Sequence, residues 1–405
     1  MSLDLLADPG PAAGGWTDPA AYWAARTAAV RDLPAPVATI DVDALRHNAL
    51  DLVVRAGGVP IRVASKSVRV REVLDATLAL PGYRGILAYT LAEALWLAET
   101  HDDIVLGYPS VDRDALARLA RDEQAAARIT LMVDDLAQLD VLDGVAPPSM
   151  RPAIRVAIDA DASWRAPFLG HVGVRRSPVH EIGEVVRLAR EVLARPGIRL
   201  VGLMMYEAQI AGQPDAGAPV IQWMQRRSRA ELVDRRAGIV DAVTRMVPLE
   251  FVNGGGTGSL ESTASDLAVT EATAGSGLLA GHLFDGYRAF TPAPAAAFAL
   301  DVVRLPAPGI ATVLGGGWIA SGPPTGSRQP LPVWPRGMEM LAREGAGEVQ
   351  TPLRGADRLA VGDRVWFRHA KSGELSERVA AYTLVRGDAV VGEAPTYRGD
   401  GQVFL

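Results

Sequence analysis

Gly57-Gly-Val-Pro-Ile-Arg-Val-Ala-Ser-Lys-Ser-Val68 places a short apolar run, Ile61 to Ala64, behind two glycines and a proline and follows it at once with a lysine, Lys66. β-Branched residues between Gly and Pro punctuation indicate a buried strand. Lys66 is then expected at the C-terminal mouth of that strand, where α/β barrels keep their chemistry. A lysine that loses solvation there has a lowered pKa, and its neutral amine can form a Schiff base with an aldehyde. Taken alone, Lys66 reads first as a surface lysine. Its weight rises if the chain also supplies an anion cradle at the matching place.

Working outward from this run, a rhythm emerges. β-Like runs recur at Ile61–Ser65, Gly85–Tyr89, Ile104–Gly107, Ile129–Val133, Ala153–Ile158, Leu200–Met205, Glu250–Asn253 and Thr270–Ala274. The segments 68–80, 90–99, 111–125, 135–143, 180–195, 221–246 and 261–266 between them are helix-like in period or composition. Alternating β and α elements predict a parallel sheet, and eight units in this length fit a (β/α)8 TIM barrel. A doubly wound sheet would need a nucleotide motif after its first strand, and none stands there. Upstream, residues up to about 20 read as flexible, Pro19–Arg31 as an Ala-rich helix and Val37–Asp41 as a strand. Asp43 is a plausible N-cap for a helix over 44–56. From about residue 289 the texture changes to alternating Val/Leu runs with Gly/Pro turns, at Phe298–Leu305, Ile310–Leu314, Arg364–Phe367, Arg378–Leu384 and Ala389–Val391. These predict an all-β domain, with 322–335 a long surface loop.

The second chemical signal is Phe251-Val-Asn-Gly-Gly-Gly-Thr-Gly-Ser259, a strand running into glycines and hydroxyls after the seventh run. Glycine amides can converge on an anion, with Thr257 and Ser259 adding donors. Ala274-Gly-Ser-Gly277 is a second small-residue turn after the eighth run. Barrels commonly hold a phosphate between the loops after strands seven and eight, which is where both turns fall.

The composition is compatible with this picture. The 405 residues suggest about two domains at roughly 100–200 residues each, and a hydrophobic content of 49% allows a large core. A net charge of −6 argues against nucleic acid as the main partner. The absence of cysteine excludes disulfides and thiolate metal sites. The N-terminal stretch is acidic and lacks a long apolar run, and no segment is long and apolar enough to span a membrane, so a cytoplasmic location is expected.

Taken together, the Lys66 segment, the Gly254-Gly-Gly-Thr257 turn, Thr270-Glu-Ala-Thr-Ala-Gly-Ser276 and the β-rich stretch after residue 289 resemble the fold-type III pyridoxal-phosphate enzymes. Within the alanine racemase N-terminal barrel superfamily the chain looks most like the D-threonine aldolase and D-serine dehydratase branch, including actinobacterial proteins labelled amino-acid deaminase/aldolase. The resemblance covers roughly residues 35–405. It implies an α/β fold, a (β/α)8 TIM barrel binding pyridoxal 5'-phosphate plus a C-terminal all-β domain. The expected domains are residues 1–42, whose strand joins the β domain, then the barrel at 43–288 and the β domain at 289–405.

The same resemblance implies roles. Lys66 carries the cofactor, and Gly255, Gly256, Thr257, Ser276 and Gly277 hold its phosphate. Arg155 reaches the ring hydroxyl or a substrate carboxylate, or else forms a barrel-wall ion pair. Tyr206 keeps the tyrosine of this branch, while Gln209 stands where a histidine is usual and can only hydrogen-bond. Glu271 or Thr273 faces the pyridine nitrogen, since both lie on one side of a strand. His369 matches one ligand of a divalent metal, but its partner position is Lys371, and a protonated ammonium is no ligand. Either Lys371 replaces the metal's charge, or Glu374 or Ser376 completes a site. His369, or a water it orients, is then the base and Lys371 or a metal steadies the alkoxide.

The implied activity is retro-aldol cleavage, or aldol addition, at the Cα–Cβ bond of β-hydroxy-D-amino acids, with an amino acid and an aldehyde as small-molecule partners. The alternatives are a D-amino acid dehydratase/deaminase or a racemase using Lys66 with Tyr287 or Tyr397 of a partner subunit. A pyridoxal-phosphate carrier without turnover is disfavoured by the appended β domain. The family resemblance also implies a homodimer, with neither nucleic acid nor membrane as partner.

Overall fold

The computed structural model describes residues 3–10, 13–166, 169–371 and 373–405. The chain forms two compact units. One gathers Leu52–Lys66 and Pro81–Ala274 with the last two residues, and the other gathers the N-terminal segment to Asp51, Ser67–Leu80 and Gly275–Val403. The sequence reading had placed 43–51, 67–80 and 275–288 with the barrel, whereas by contact density they group with the second unit.

The strand β1 (Val37–Asp41) leads through the helix Val42–Arg55 to β2 (Ile61–Ala64), β3 (Tyr83–Ala88), β4 (Ile104–Leu106), β5 (Ile129–Val133) and β6 (Ile154–Asp159). A small antiparallel hairpin, β7 (Trp164–Ala166) with β8 (Gly170–Val172), then precedes β9 (Ile198–Met205), β10 (Phe251–Gly254) and β11 (Glu271–Ala274). Among the described residues the eight strands β2, β3, β4, β5, β6, β9, β10 and β11 close into a parallel barrel. All eight runs expected from sequence are barrel strands. Most are largely apolar because helices cover the outside and side chains fill the inside. Ile129–Val133, for example, is buried at every position.

The helices begin where the sequence can satisfy their free amides. Thr90 caps Leu91–Leu97 after β3 by accepting from the Glu93 N–H at 3.1 Å, and the Glu93 carboxylate accepts from the Tyr89 N–H at 2.7 Å just ahead of the cap. At Val42–Arg55 the capping carboxylate is Asp41, which accepts from the Ala44 N–H at 2.9 Å, and not Asp43 as expected. Asp43 instead accepts from the Gly10 N–H and pairs with Arg386.

The second unit is built on a nine-stranded sheet formed by β1 with β12 (Ala296–Ala307), β13 (Ile310–Leu314), β14 (Leu331–Trp334), β15 (Glu339–Met340), β16 (Gln350–Arg354), β17 (Arg364–Arg368), β18 (Ala381–Arg386) and β19 (Ala389–Pro395). β1 lies antiparallel to β12 and parallel to β18, as the resemblance implied for that strand. Leu331–Trp334 was expected in a loop but pairs with β17. Pro332 within it and Pro330 and Pro335 on either side had masked the strand, and an outer position tolerates them. The N-terminal segment, expected to be flexible, buries Leu5 completely and ties the Leu3 N–H to Glu72.

The core of this unit joins Tyr22, Trp23, Val37, Trp366 and Val385. Arg26 is buried among them, 4.6 Å from the Tyr22 ring centroid and bonded to the Ala295 carbonyl at 3.0 Å. Among the described residues no helix is long and apolar enough to cross a membrane.

Inside the barrel, Val105, Met132, Ala157, Val201, Met204 and Phe251 form one cluster. Gly202 of β9 faces Phe251 of β10, and a Cβ at Gly202 would overlap the aromatic ring. Overpacking of a filled core typically costs about 1–3 kcal/mol. Gly202→Ala is therefore expected to lower unfolding free energy by roughly that amount, seen as an earlier urea midpoint at unchanged slope.

Candidate active site

β2 ends at Ala64, and a single turn over Ser65–Ser67 brings Lys66 out at the C-terminal end of the barrel. The turn is anchored to the neighbouring strand by the Ser65 hydroxyl, which donates to the Leu87 carbonyl at 3.1 Å. Lys66 Nζ donates to Tyr108 Oη at 2.7 Å and lies 5.3 Å from that ring's centroid. The side chain is exposed, so the desolvation expected from sequence is absent. Its distinction lies elsewhere: the chain has only two lysines, Lys66 and Lys371, and Lys66 is the one in the barrel unit. Tyr108 stands at the mouth of β4 and Tyr206 at the mouth of β9. Arg176 lies 5.7 and 5.3 Å from their two ring centroids. Burial pushes the Tyr206 hydroxyl up to about 12, so it remains a proton donor across the physiological range.

The glycine turn after β10 is clamped from behind. Gly255 has φ +82°, which favours glycine. Its N–H donates to Glu207 Oε2 at 3.1 Å, and the Gly256 N–H donates to Ser259 Oγ at 3.2 Å. The Thr257 carbonyl accepts from Arg55 Nη2 at 2.6 Å, and Arg55 also pairs with Glu261. The expectation that both glycine amides converge on an anion is thus corrected: the Gly255 amide is turned inward onto a buried carboxylate. At Gly256 a Cβ would press on Ala211 and the Tyr206 ring, at 3.0 and 3.3 Å, so the turn lies close against that ring. Glu207 also accepts from Ser259, Thr263 and Arg236, and Arg236 bonds Asp266 at 2.6 Å and the Met205 carbonyl at 3.0 Å.

Within the barrel a polar ladder climbs toward the mouth. Arg62 of β2 makes two bonds to Glu271 of β11, at 2.7 and 2.8 Å, and two to the Asp103 carboxylate, at 2.8 and 3.3 Å. Glu271 accepts from Asn253 Nδ2 at 2.9 Å, and Asn253 Oδ1 accepts from the Thr273 hydroxyl at 3.0 Å. Of the two candidates for a ring nitrogen, Glu271 is committed to Arg62 at the first residue of its strand. Thr273 sits two residues nearer the mouth.

Three further expectations are corrected or narrowed by position. Arg155 is the second residue of β6 and is held by Glu250 at 2.6 Å and Thr130 at 3.2 Å, all at the N-terminal end of the barrel, so it is the ion pair and not a ligand of the mouth. Gln209 is buried, and its Nε2 donates to the Ala162 carbonyl and Ser228 hydroxyl at 2.6 and 2.8 Å; it hydrogen-bonds, as expected, but to the protein. Ser276 and Gly277 open the short helix Ser276–Leu279 after β11, in the second unit.

His369 follows β17 in that same unit. Burial, reinforced by Arg368 and His282, holds its imidazole down at about 3, which makes it a poor base at neutral pH. Lys371 Nζ donates to Ser321 Oγ at 3.1 Å. Glu374 accepts from the Ser321 N–H, and the Ser376 hydroxyl donates to the Val68 carbonyl at 2.8 Å. Among the described residues no group of three or more His, Cys, Asp or Glu is placed to hold a metal ion. The tyrosines considered for a racemase are interior: Tyr287 packs with Phe284 and Phe290, and Tyr397 is fully buried.

Sequence reasoning missed Tyr108, Glu207, Arg176 and an acidic pair. Asp134 directly follows β5 and Asp159 ends β6. Burial raises the Asp159 carboxyl to about 8, helped by Asp134 and Asp161 and opposed by Arg176. Asp134 is raised by burial as well, opposed by its bond with Gln138. The first two residues beyond each barrel strand would have flagged Tyr108, Asp134 and Glu207, whereas Arg176 arrives on a long connection with no local mark.

The donor set at the mouth is an accessible amine, two aromatic hydroxyls, a guanidinium, a threonine hydroxyl and a tight glycine turn. That set fits a planar aldehyde bearing an anionic group. The alanine racemase N-terminal domain family matches residues 40–247. The chain is 28% identical over 232 residues to a 3-hydroxy-D-aspartate aldolase of Paracoccus denitrificans, covering 56% of each chain. It is 27% identical over 224 residues to a D-threonine aldolase of an Arthrobacter species, covering 54% of this chain and 53% of that one. The chain thus matches little more than half the length of these curated relatives. A solved D-threonine aldolase from Filomicrobium marinum superposes with a TM-score of 0.75 at 20% identity, over 92% of this chain and 97% of that one. At that identity the likeness is one of fold.

Two outcomes follow from the geometry. Removing one partner of a buried ion pair typically costs about 3–5 kcal/mol. Glu271→Ala should therefore destabilise the chain by about 3 kcal/mol, near the low end because Asp103 still faces Arg62. Asp159, with a native pKa raised to about 8 against an unfolded value of about 3.9, retains a proton in the native state that the unfolded chain releases. Its favourable contribution is complete below the unfolded value and is lost as pH rises through 8. Urea unfolding of Asp159→Asn should accordingly show a stability gain over the parent chain that grows from pH 5 to pH 8 and then levels. A difference independent of pH would mean that Asp159 is ionised throughout.

Proposed function

Because the chain belongs to the alanine racemase N-terminal domain family, we propose that it is a pyridoxal-phosphate-dependent lyase that cleaves β-hydroxy-D-amino acids between Cα and Cβ. The alanine racemase-like D-threonine aldolase family uses pyridoxal phosphate. The observation that carries the reading is Lys66, the single lysine of the barrel unit, held by Tyr108 at the mouth of the first barrel strand. The two aldolase relatives support this substrate class.

Lys66 is the amine that carries the cofactor's aldehyde carbon. The turn over Gly254–Thr257, with Thr257, and the residues Ser276 and Gly277 are the candidates for its phosphate. Thr273, its hydroxyl oriented by Asn253, is the partner for the ring nitrogen. When bound, the cofactor accepts the electron pair released as a bond at Cα breaks. Tyr108 orients the Lys66 amine, and Tyr206, protonated throughout, donates a hydrogen bond rather than accepting a proton. Arg176, between the two rings, supplies positive charge for a carboxylate or phenolate oxygen. The β-hydroxyl gives its proton to solvent water, the Cα–Cβ bond breaks as the β-carbon becomes the aldehyde carbonyl, the electron pair stays on the Cα side, and Cα takes up a proton from solvent before glycine leaves. His369 and Lys371 are proposed for the hydroxyl end of the substrate, with the buried imidazole uncharged and therefore able to accept a hydrogen bond or ligate a divalent metal. The proposed assembly is a homodimer.

Incubation of the cofactor-loaded chain with D-threonine should yield glycine and acetaldehyde by mass spectrometry, with L-threonine unchanged. Keto acid and ammonia would make the chain a dehydratase, and an inverted α-carbon a racemase. Lys66→Ala should reduce turnover to background, and borohydride treatment of the loaded parent chain should add reduced cofactor to the Lys66 peptide and leave the Lys371 peptide unlabelled.

A further inference from the structure

Glu207 lies two residues beyond β9, and β9 and β10 run side by side with Met205 opposite Gly254. From there its carboxylate reaches across to the loop that follows β10. It is 2% exposed, and four groups converge on it: the Gly255 N–H, the Ser259 and Thr263 hydroxyls, and the Arg236 guanidinium, itself neutralised on its far side by Asp266. A buried carboxylate so fully bonded is costly to move. The backbone of the turn is correspondingly confined. Gly255 is in the left-handed region, and a Cβ there would meet Thr263 Oγ1 at 2.8 Å, so the turn passes this close to the hydroxyl only because the residue is glycine. Nothing in the chemistry of bond cleavage uses Glu207, which faces away from the mouth into its own ring of donors.

We propose that Glu207 is a positioning residue that holds the Gly254–Thr257 turn in the shape that accepts an anion, and so sets how strongly the chain prefers a phosphorylated cofactor over its unphosphorylated form. This deepens the cofactor reading and rests on it. Glu207 does not touch the phosphate; it acts through the Gly255 amide and through Ser259, whose hydroxyl in turn accepts from the Gly256 N–H.

The test is a titration of the cofactor-free chain with pyridoxal phosphate and, separately, with pyridoxal, following the absorbance change on binding, for the parent chain, Glu207→Gln, Thr263→Val and Thr263→Ser. Glu207→Gln should weaken pyridoxal phosphate by about tenfold or more, the scale of one charge-assisted hydrogen bond, and leave pyridoxal within twofold of the parent. Thr263→Val should move the ratio the same way by a smaller factor, and Thr263→Ser, which retains the hydroxyl, should restore it. A role in overall stability alone would weaken both ligands equally or neither, and either result overturns the proposal. Should Glu207→Gln fail to fold, the two Thr263 variants decide it on the same ratio. If the parent chain binds neither ligand, the cofactor reading falls and this inference with it. A parent chain that discriminates while every variant does so equally overturns the Glu207 assignment alone.

Discussion

The barrel closes where Arg62 of its first strand meets Glu271 of its last. β2 and β11 are far apart in the chain, and the seam between them is made of backbone pairing reinforced by this bidentate ion pair, with Asp103 on the far side of the guanidinium. Lys66 follows β2 and the glycine turn follows β10, the strand beside β11, so closing the seam brings the amine and that turn to the same end of the barrel. The pair also bears on which side chain of β11 is left at the mouth. By engaging Glu271, it leaves Thr273 as the polar side chain of β11 nearest the mouth, oriented through Asn253. A neutral hydroxyl at that place makes a weaker partner for a ring nitrogen than a carboxylate would.

Most of the fold was legible because its signals are local. The eight barrel runs are short apolar segments between turn residues, and burial on both faces made each one visible without reference to the others. Val37–Asp41 and Ile310–Leu314 were placed to the residue for the same reason. What escaped was set by neighbours rather than by local preference. Leu331–Trp334 carries one proline and precedes another, and becomes a strand only because β17 offers it an edge. The hairpin of β7 and β8 is too short to register in any window, and Leu5 is buried by residues that no local pattern could identify.

The site was legible at the level of strand ends and not beyond. Lys66, Tyr206, Thr257 and Thr273 all sit on or just after barrel strands, where sequence position and spatial position coincide. Arg155 failed the same rule by lying at the start of its strand rather than its end, a distinction that depends on strand direction and was available from the run itself. Glu207 stood next to a residue already singled out, but its importance comes from Arg236 on the long helix Pro219–Thr244 and from Thr263, partners that only folding assembles. The inward rotation of the Gly255 amide is likewise a property of the assembled network, since glycine-rich sequence indicates freedom of the backbone without saying which group will use it.

The placement of β1 has a consequence for how the chain is made. It is an interior strand of the large sheet, yet its two neighbours lie near the other end of the chain: β12 begins at Ala296 and β18 at Ala381. A ribosome delivering about 5–20 residues per second leaves Val37–Asp41 without a partner for tens of seconds, while the whole barrel is synthesised. Its five apolar-to-polar residues are thus exposed to other nascent chains for that interval. The barrel strands are all in hand before the sheet can be completed, so vectorial synthesis makes the ordering of the barrel the earlier event and the pairing of β1, first with β12 and then with β18, the later one.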